Sequence, residues 1–264
     1  DDWEPPAVDT SVPHIARVYD YWLGGKNHFA ADRAAGDEAV RAYPDMAESC
    51  RENRGFIRRA VEKLTRDGIR QFLDVGTGLP SGNNTHEVAQ AIAPSSRIVY
   101  VDNDPIVLAH ARALLTSHPD GATGYLDADA RDTATILGRA ADLLDFTRPV
   151  AVMLISVLQL IPDEDDPYQL VANLMKAVPA GSYLAITHVA SDLQQRSPGV
   201  GAAAAALSRL MPHRVTPRSQ EQIVRFFSDF DLLEPGVVAA QDWHPEGDSA
   251  GRRSAMRGGV AVKP

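Results

Sequence analysis

Two periodicities divide this chain. Between Pro13 and Arg66 no strand-like run occurs, and apolar residues recur at helical spacing. Phe56, Ile57, Ala60, Val61 and Leu64 share one helix face. The pattern predicts helices over His14–Leu23, Phe29–Tyr43 and Ala47–Arg66, with Gly24-Gly25-Lys26-Asn27 separating the first two. Residues 1–12 read as an irregular tail. From Arg70 short β-rich runs alternate with helical stretches. Strands are expected over Gln71–Val75, Arg97–Val101, Thr123–Leu126, Val150–Ile155 and Tyr183–Thr187. Helices are expected between and after them, over Thr85–Ile92, Ile106–His118, Thr133–Leu144 and Tyr168–Val178. These strands are continuous apolar runs, as strands buried on both faces of a parallel sheet must be. The rhythm therefore predicts an α/β fold with a doubly wound, mostly parallel sheet.

The last third is less regular. Gly199–Leu210 and Ser219–Phe230 read as helices, the second with Ser219 and Gln222 at capping-box spacing. Two strands are expected near Gly236–Ala240 and Gly259–Val262. The organisation expected is a tail and helical cap over 1–66 and an α/β domain over 67–264.

Composition narrows the function classes. With 264 residues, 44% hydrophobic and 23% charged, the chain can bury a core without disulfide staples. Its one cysteine, Cys50, excludes an internal disulfide. A net charge of −9 disfavours nucleic acid, whose phosphates reward basic surfaces. The longest apolar stretches, such as Pro149–Leu158, fall short of the roughly 20 residues that span a bilayer. No apolar leader opens the chain, so a soluble, cytoplasmic protein without a membrane partner is expected.

The chemistry concentrates after the first strand. Gln71–Val75 carries Asp74 and runs into Gly76-Thr77-Gly78-Leu79-Pro80-Ser81-Gly82, then a helix. Glycines are needed where a ligand approaches the backbone with no Cβ in the way, and such turns at strand carboxyl ends are where open α/β sheets bind ligands. The second strand ends in Asp102-Asn103-Asp104-Pro105. Asp102 is placed to accept two hydrogen bonds from a ribose diol, while Asp104 N-caps the following helix. The third strand runs into Asp127-Ala128-Asp129-Ala130. There Asp129 either accepts an adenine amine or caps a turn. Asp74 separates two nucleotide classes. A carboxylate is poorly placed beside a pyrophosphate, but it suits a cationic ammonium such as that of S-adenosylmethionine (SAM). No Gly-Lys-Ser/Thr follows, so a Walker A loop is excluded.

With these residues in place the chain resembles the class I SAM-dependent methyltransferases, and more narrowly the actinobacterial S-adenosyl methyltransferase family, formerly a domain of unknown function. The narrower resemblance rests on Ala16-Arg17-Val18-Tyr19-Asp20-Tyr21-Trp22-Leu23-Gly24-Gly25-Lys26-Asn27, on Asn53-Arg54-x-Phe56, and on the two motifs at Phe72–Pro80 and Val101–Pro105. It implies a seven-stranded sheet with its last strand antiparallel. It implies SAM as cofactor, with S-adenosylhomocysteine (SAH) as product. Gly76, Thr77 and Gly78 would line its methionine and ribose, Asp102 with Asn103 the ribose hydroxyls, and Asp129 with Ala130 the adenine. Ser156 and Val157 would flank the sulfonium. Tyr19 completes the set.

The segment Arg17–Asp32 admits two readings: a helix–turn–helix packed on the sheet edge, or a lid hinged at Gly24-Gly25. Arg17 or Arg54 would then pair with the SAM carboxylate. For a general base the candidates are His28, in that segment, and His188, after the fifth strand; no metal-ligand spacing stands out. Strand four ends Ile155-Ser156-Val157-Leu158-Gln159, without the Asn/Asp-Pro-Pro-Tyr/Phe sequence of methyltransferases acting on DNA bases. The function expected is methyl transfer to a small molecule. The alternative is a SAM- or SAH-binding regulator without turnover. An NAD-dependent dehydrogenase is disfavoured by Asp74.

Overall fold

The computed structural model describes residues 9–114, 116–193, 197–249 and 251–264. Part of the expected N-terminal tail, residues 1–8, lies outside the described residues, as does position 115 in the expected helix Ile106–His118. Three helices come first: α1 (Ile15–Trp22), α2 (Ala30–Ala42) and α3 (Met46–Arg66). Strands and helices then alternate as β1 (Gln71–Val75), α4 (Thr85–Ile92), β2 (Arg97–Asp102), α5 (Pro105–Leu114), β3 (Ala122–Asp127), α6 (Thr133–Ala140), β4 (Ala151–Ile155), α7 (Pro167–Lys176) and β5 (Tyr183–Val189). The remainder is α8 (Val200–Leu210), α9 (Gln220–Val224), β6 (Asp231–Leu232), β7 (Val238–Ala239) and β8 (Met256–Val262).

β1 to β5 pair in parallel, and the sheet runs β3-β2-β1-β4-β5-β8-β6. β8 inserts antiparallel beside β5. The sheet has eight strands where the resemblance implies seven, because the edge beyond β8 is split. β6 pairs with Val262 and Ala261, while β7 pairs with Gly258 and Arg257. Between them Pro235, which has no N–H, and Gly236, at φ +84°, interrupt the ladder. The expected helix Ser219–Phe230 is also shorter. Ser219 and Gln222 do form the capping box, but α9 tightens into a 3₁₀ turn over Arg225–Phe227.

Each sheet face has its own core. α3 lays Phe56, Ile57, Ala60, Val61 and Leu64 against Phe72, Ile98 and Met153 on one face. Gly258 permits that approach, since a Cβ there would lie 2.6 Å from the Phe56 ring. The other face packs Ile136, Leu170, Leu174 and Phe227 on Val99, Val152 and Leu184. A third cluster joins α1 and α2 to α8 through Val18, Trp22, Ala39, Ala203 and Leu207. Gly199 starts α8 at φ +91°, where a Cβ would strike the Ala42 carbonyl. This third cluster roofs the carboxyl ends of the strands.

Candidate functional site

A deep cavity opens at those strand ends, beneath α1, α3 and α8. Its floor comes from four strand exits. Asp74, Gly76, Thr77 and Gly78 line it at the end of β1, and Asp102 and Asn103 at the end of β2. Asp129 and Ala130 follow β3, and Ser156 and Val157 follow β4. Tyr19 of α1 and Arg54 of α3 line it from above. Twelve of the thirteen expected cofactor residues therefore face one space.

The turn after β1 is fixed by its backbone. The N–H groups of Gly76 and Thr77 donate to the Val101 carbonyl at 2.8 and 3.2 Å. Gly76 sits at φ +75°, and a Cβ there would fall 2.5 Å from Val157. Gly78 is at φ +67°, and a Cβ there would meet nothing within 4 Å, so its backbone borders open space. Its N–H donates to Asp102 Oδ2 at 2.8 Å, while the Asp104 N–H donates to Oδ1 at 2.9 Å. Two backbone donors thus aim the Asp102 carboxylate and leave it further lone pairs. Asp104 caps α5 by accepting the Ile106 N–H at 2.8 Å.

Burial governs the charges. It pushes the Asp74 carboxyl up to about 6, against the Thr85 hydroxyl, which donates to Oδ2 at 2.7 Å, and the charge of Arg54. Burial also raises Asp102, opposed by its two backbone donors. Asp129 is held low instead, chiefly by Arg131, which grips it at 2.6 Å and reaches Asp165 at 3.0 Å. Asp129 also accepts the Arg131 N–H at 2.9 Å, so it closes a turn while lining the cavity.

Two buried polar atoms above the floor lack partners among the described residues. Arg54 donates through Nη2 to the carbonyls of Gly82 and Asn83, but its Nε has no acceptor. Asn53 donates through Nδ2 to the Tyr19 hydroxyl, which donates to the Cys50 carbonyl; Asn53 Oδ1 is left over. Ser156 is strained, a non-glycine residue at φ +58°.

Three expected residues stand elsewhere. Arg17 does not line the cavity: its guanidinium packs 3.3 Å from buried Asp32 and donates to the Val12 carbonyl at 2.7 Å, so it ties α1 to α2. His28 is likewise outside, with Nε2 3.1 Å from the Gly25 carbonyl and its ring edge-on to Tyr21. His188 is fully buried beneath the sheet's end. Its Nδ1–H donates to the Val189 carbonyl, its Nε2 accepts from Arg218 at 2.8 Å, and burial drives it down to about 3. A ring so enclosed cannot take a proton from a ligand.

The cavity instead exposes two histidines that sequence reasoning missed. His14 Nδ1 lies 2.8 Å from Asp104 Oδ2, and its ring meets that of His213 edge-on. His213 is held below its usual range mainly by burial, with the charge of His14 and Arg131 assisting. It lies in an irregular stretch after α8, where no periodicity marks a site. Asn53, by contrast, stood in a recognised motif. No group of three or more His, Cys, Asp or Glu side chains that could hold a metal occurs among the described residues, and no described helix is long and apolar enough to cross a membrane.

The same architecture recurs in solved structures. A DUF574 family protein from Streptomyces avermitilis is 42% identical, with a TM-score of 0.92 over 98% of this chain and 100% of that one. A candidate methyltransferase from Thermobifida fusca is 40% identical, with a TM-score of 0.89 over 100% and 99% of the two chains. Magnesium protoporphyrin IX methyltransferase from Synechocystis, solved with bound SAH, shares the fold at 13% identity, with a TM-score of 0.54 over 94% and 93%. No curated protein matches the chain. The family model described as S-adenosyl methyltransferase matches residues 1–264 in full, and the chain therefore belongs to that family of SAM-dependent methyltransferases.

Proposed function

We propose that this cavity binds SAM along its floor and presents the methyl group to a small-molecule acceptor beneath α8. The residues fit the cofactor. Gly78 offers backbone bordering open space, Asp102 an aimed carboxylate for the ribose diol, and Asp129 with Ala130 the edge for adenine. The orphaned Arg54 Nε suits the cofactor carboxylate, and Asp74 with Asn53 Oδ1 suits its ammonium. When bound, SAM supplies a methyl group on a cationic sulfonium, and the chain's work is to hold the acceptor in line with it and exclude water. Where the acceptor must lose a proton, His213 and His14 replace His188 and His28 as candidates, because they line the cavity. His213, held low, is neutral near pH 7 and so free to accept.

The observation that carries this reading is the pairing of Asp74 and Asp102 across the unencumbered Gly78 turn. Calorimetry with SAH tests it. Asp102→Asn is expected to weaken SAH by about 10- to 100-fold, the value of hydrogen bonds to a charged group. Unchanged affinity in Asp102→Asn, or displacement of SAH by NAD, would remove the assignment. The small-molecule acceptor is tested by methyl-labelled SAM and fractionated cell extract: label is expected among metabolites and not in nucleic acid or protein.

A further inference from the structure

The cavity wall contains a hydrogen-bond acceptor that no other described residue uses. Gln159, only 5% exposed, lies in the loop after β4 and lines the cavity. Its Nε2 donates to the Ser156 carbonyl at 2.8 Å and to the Ser156 hydroxyl at 2.6 Å. A carbonyl only accepts, so the amide orientation is settled: the NH₂ end faces Ser156. The other end, Oε1, is buried and has no partner among the described residues. Buried acceptors of this kind are normally satisfied, and one left open in a ligand cavity is a place for a ligand donor.

Gln159 is also held rigidly. Its own carbonyl accepts the Thr216 N–H at 2.7 Å. On either side, the buried Arg218 donates to the carbonyls of Leu158 and Ile161, both at 2.9 Å. The surrounding wall is apolar: Val200, Ala204 and Leu207 of α8, with Trp22, Leu160 and Val215. An anionic acceptor would set its charge against Gln159 Oε1 and hydrocarbon, while the guanidiniums that line the cavity are engaged elsewhere, Arg131 with Asp129 and Asp165 and Arg54 with the Gly82 and Asn83 carbonyls.

We propose that the methyl acceptor is a neutral, largely apolar small molecule bearing a hydroxyl or N–H that donates to Gln159 Oε1, and that Gln159 thereby sets specificity. The proposal rests on the methyl-transfer reading above and names the class of molecule it acts on.

The test uses the full chain loaded with SAH and a matched set of probes: 2-naphthol, 2-naphthylamine, 2-methoxynaphthalene and 2-naphthoate. Calorimetry is expected to show the alcohol and amine binding about tenfold tighter than the ether, with the carboxylate no tighter than the ether. Gln159→Met should lower alcohol and amine affinity about tenfold while leaving the ether within about twofold, so the ether and SAH report an intact cavity. The proposal is overturned if the alcohol and amine fail to bind, if the ether or carboxylate matches them, or if Gln159→Met keeps the alcohol preference. Failure of SAH itself to bind would overturn the cofactor reading, and the proposal with it.

Discussion

The floor and the roof of the cavity are built by opposite means. The floor is polar and lies at strand ends: Asp74, Gly78, Asp102 and Asp129 each sit within a few residues of one, and Gly78, Asp102 and Asp129 are set by backbone hydrogen bonds within and between neighbouring turns, Asp74 by the Thr85 hydroxyl. The roof is apolar and assembled from distant segments. α8 meets α1 and α2 there although it lies far from them in sequence, and the loop carrying Gln159 is braced by Arg218, from a segment well downstream of it. A floor made of turns can be shared by many enzymes with one cofactor. A roof made of long-range packing can change with the acceptor while the floor stays fixed.

The sharpest way to break this contrast is to remove the brace. Arg218 is 1% exposed and satisfies Leu158 O, Ile161 O and His188 Nε2. Arg218→Met strands those buried acceptors, at about 3 kcal/mol or more. Urea unfolding should show that loss. In the folded fraction, affinity for 2-naphthol should fall while SAH stays within about twofold. Equal loss of both would mean that floor and roof are one unit.

A smaller effect, tied to the floor, comes from Asp74. Its carboxyl is raised to about 6, so the ionised form that would hold an ammonium is lost as pH falls through 6. SAM affinity should therefore drop between pH 7 and pH 5, by up to tenfold per pH unit below 6. The sign for the cofactor-free protein is the reverse. A folded-state value above the unfolded one means the folded chain holds the proton more tightly, so this group's stabilising contribution fades as pH rises from about 4 to 6. Asp74→Asn should flatten both trends, measured by calorimetry and by thermal unfolding across the same pH range.

The same division explains what could be read from sequence. β1 to β5 are apolar runs beside helical stretches, and their ends carry glycine and aspartate at short, fixed offsets, so floor residues announced themselves. Asp104 could be read as a cap because its role is fulfilled two residues away, at Ile106. The roof gave no such signal. Val200, Ala204 and Leu207 look like any core stripe, His213 lies in irregular chain, and Gln159 differs from Gln241, whose buried Oε1 is also without a partner among the described residues, only in lining the cavity. β7 falls within the strand expected near Gly236–Ala240, but β6 was missed for a related reason: a two-residue strand is defined by what it pairs with, not by its own pattern.

The smallest expected effects separate charge that faces the cavity from charge that merely lies near it in sequence. Arg17 and Arg54 are both arginines in recognised motifs. Each leaves its Nε without a hydrogen-bond acceptor among the described residues, but Arg17 is paired with Asp32 and the Val12 carbonyl outside the cavity, whereas Arg54 lines it. His28 is likewise engaged with Gly25 and Tyr21, whereas His213 lines the cavity. His28→Ala should therefore leave SAH affinity within about twofold in calorimetry. Arg17→Lys keeps the charge beside Asp32 and should do the same, although losing the planar fork weakens the tie between α1 and α2. Arg54→Lys should cost several-fold more than either, because an ammonium does not offer the same fork to a carboxylate. Should Arg17→Lys prove the more damaging, α1 must swing to deliver Arg17 to the cofactor, and the cap would be a moving lid hinged at Gly24, where φ is +79°.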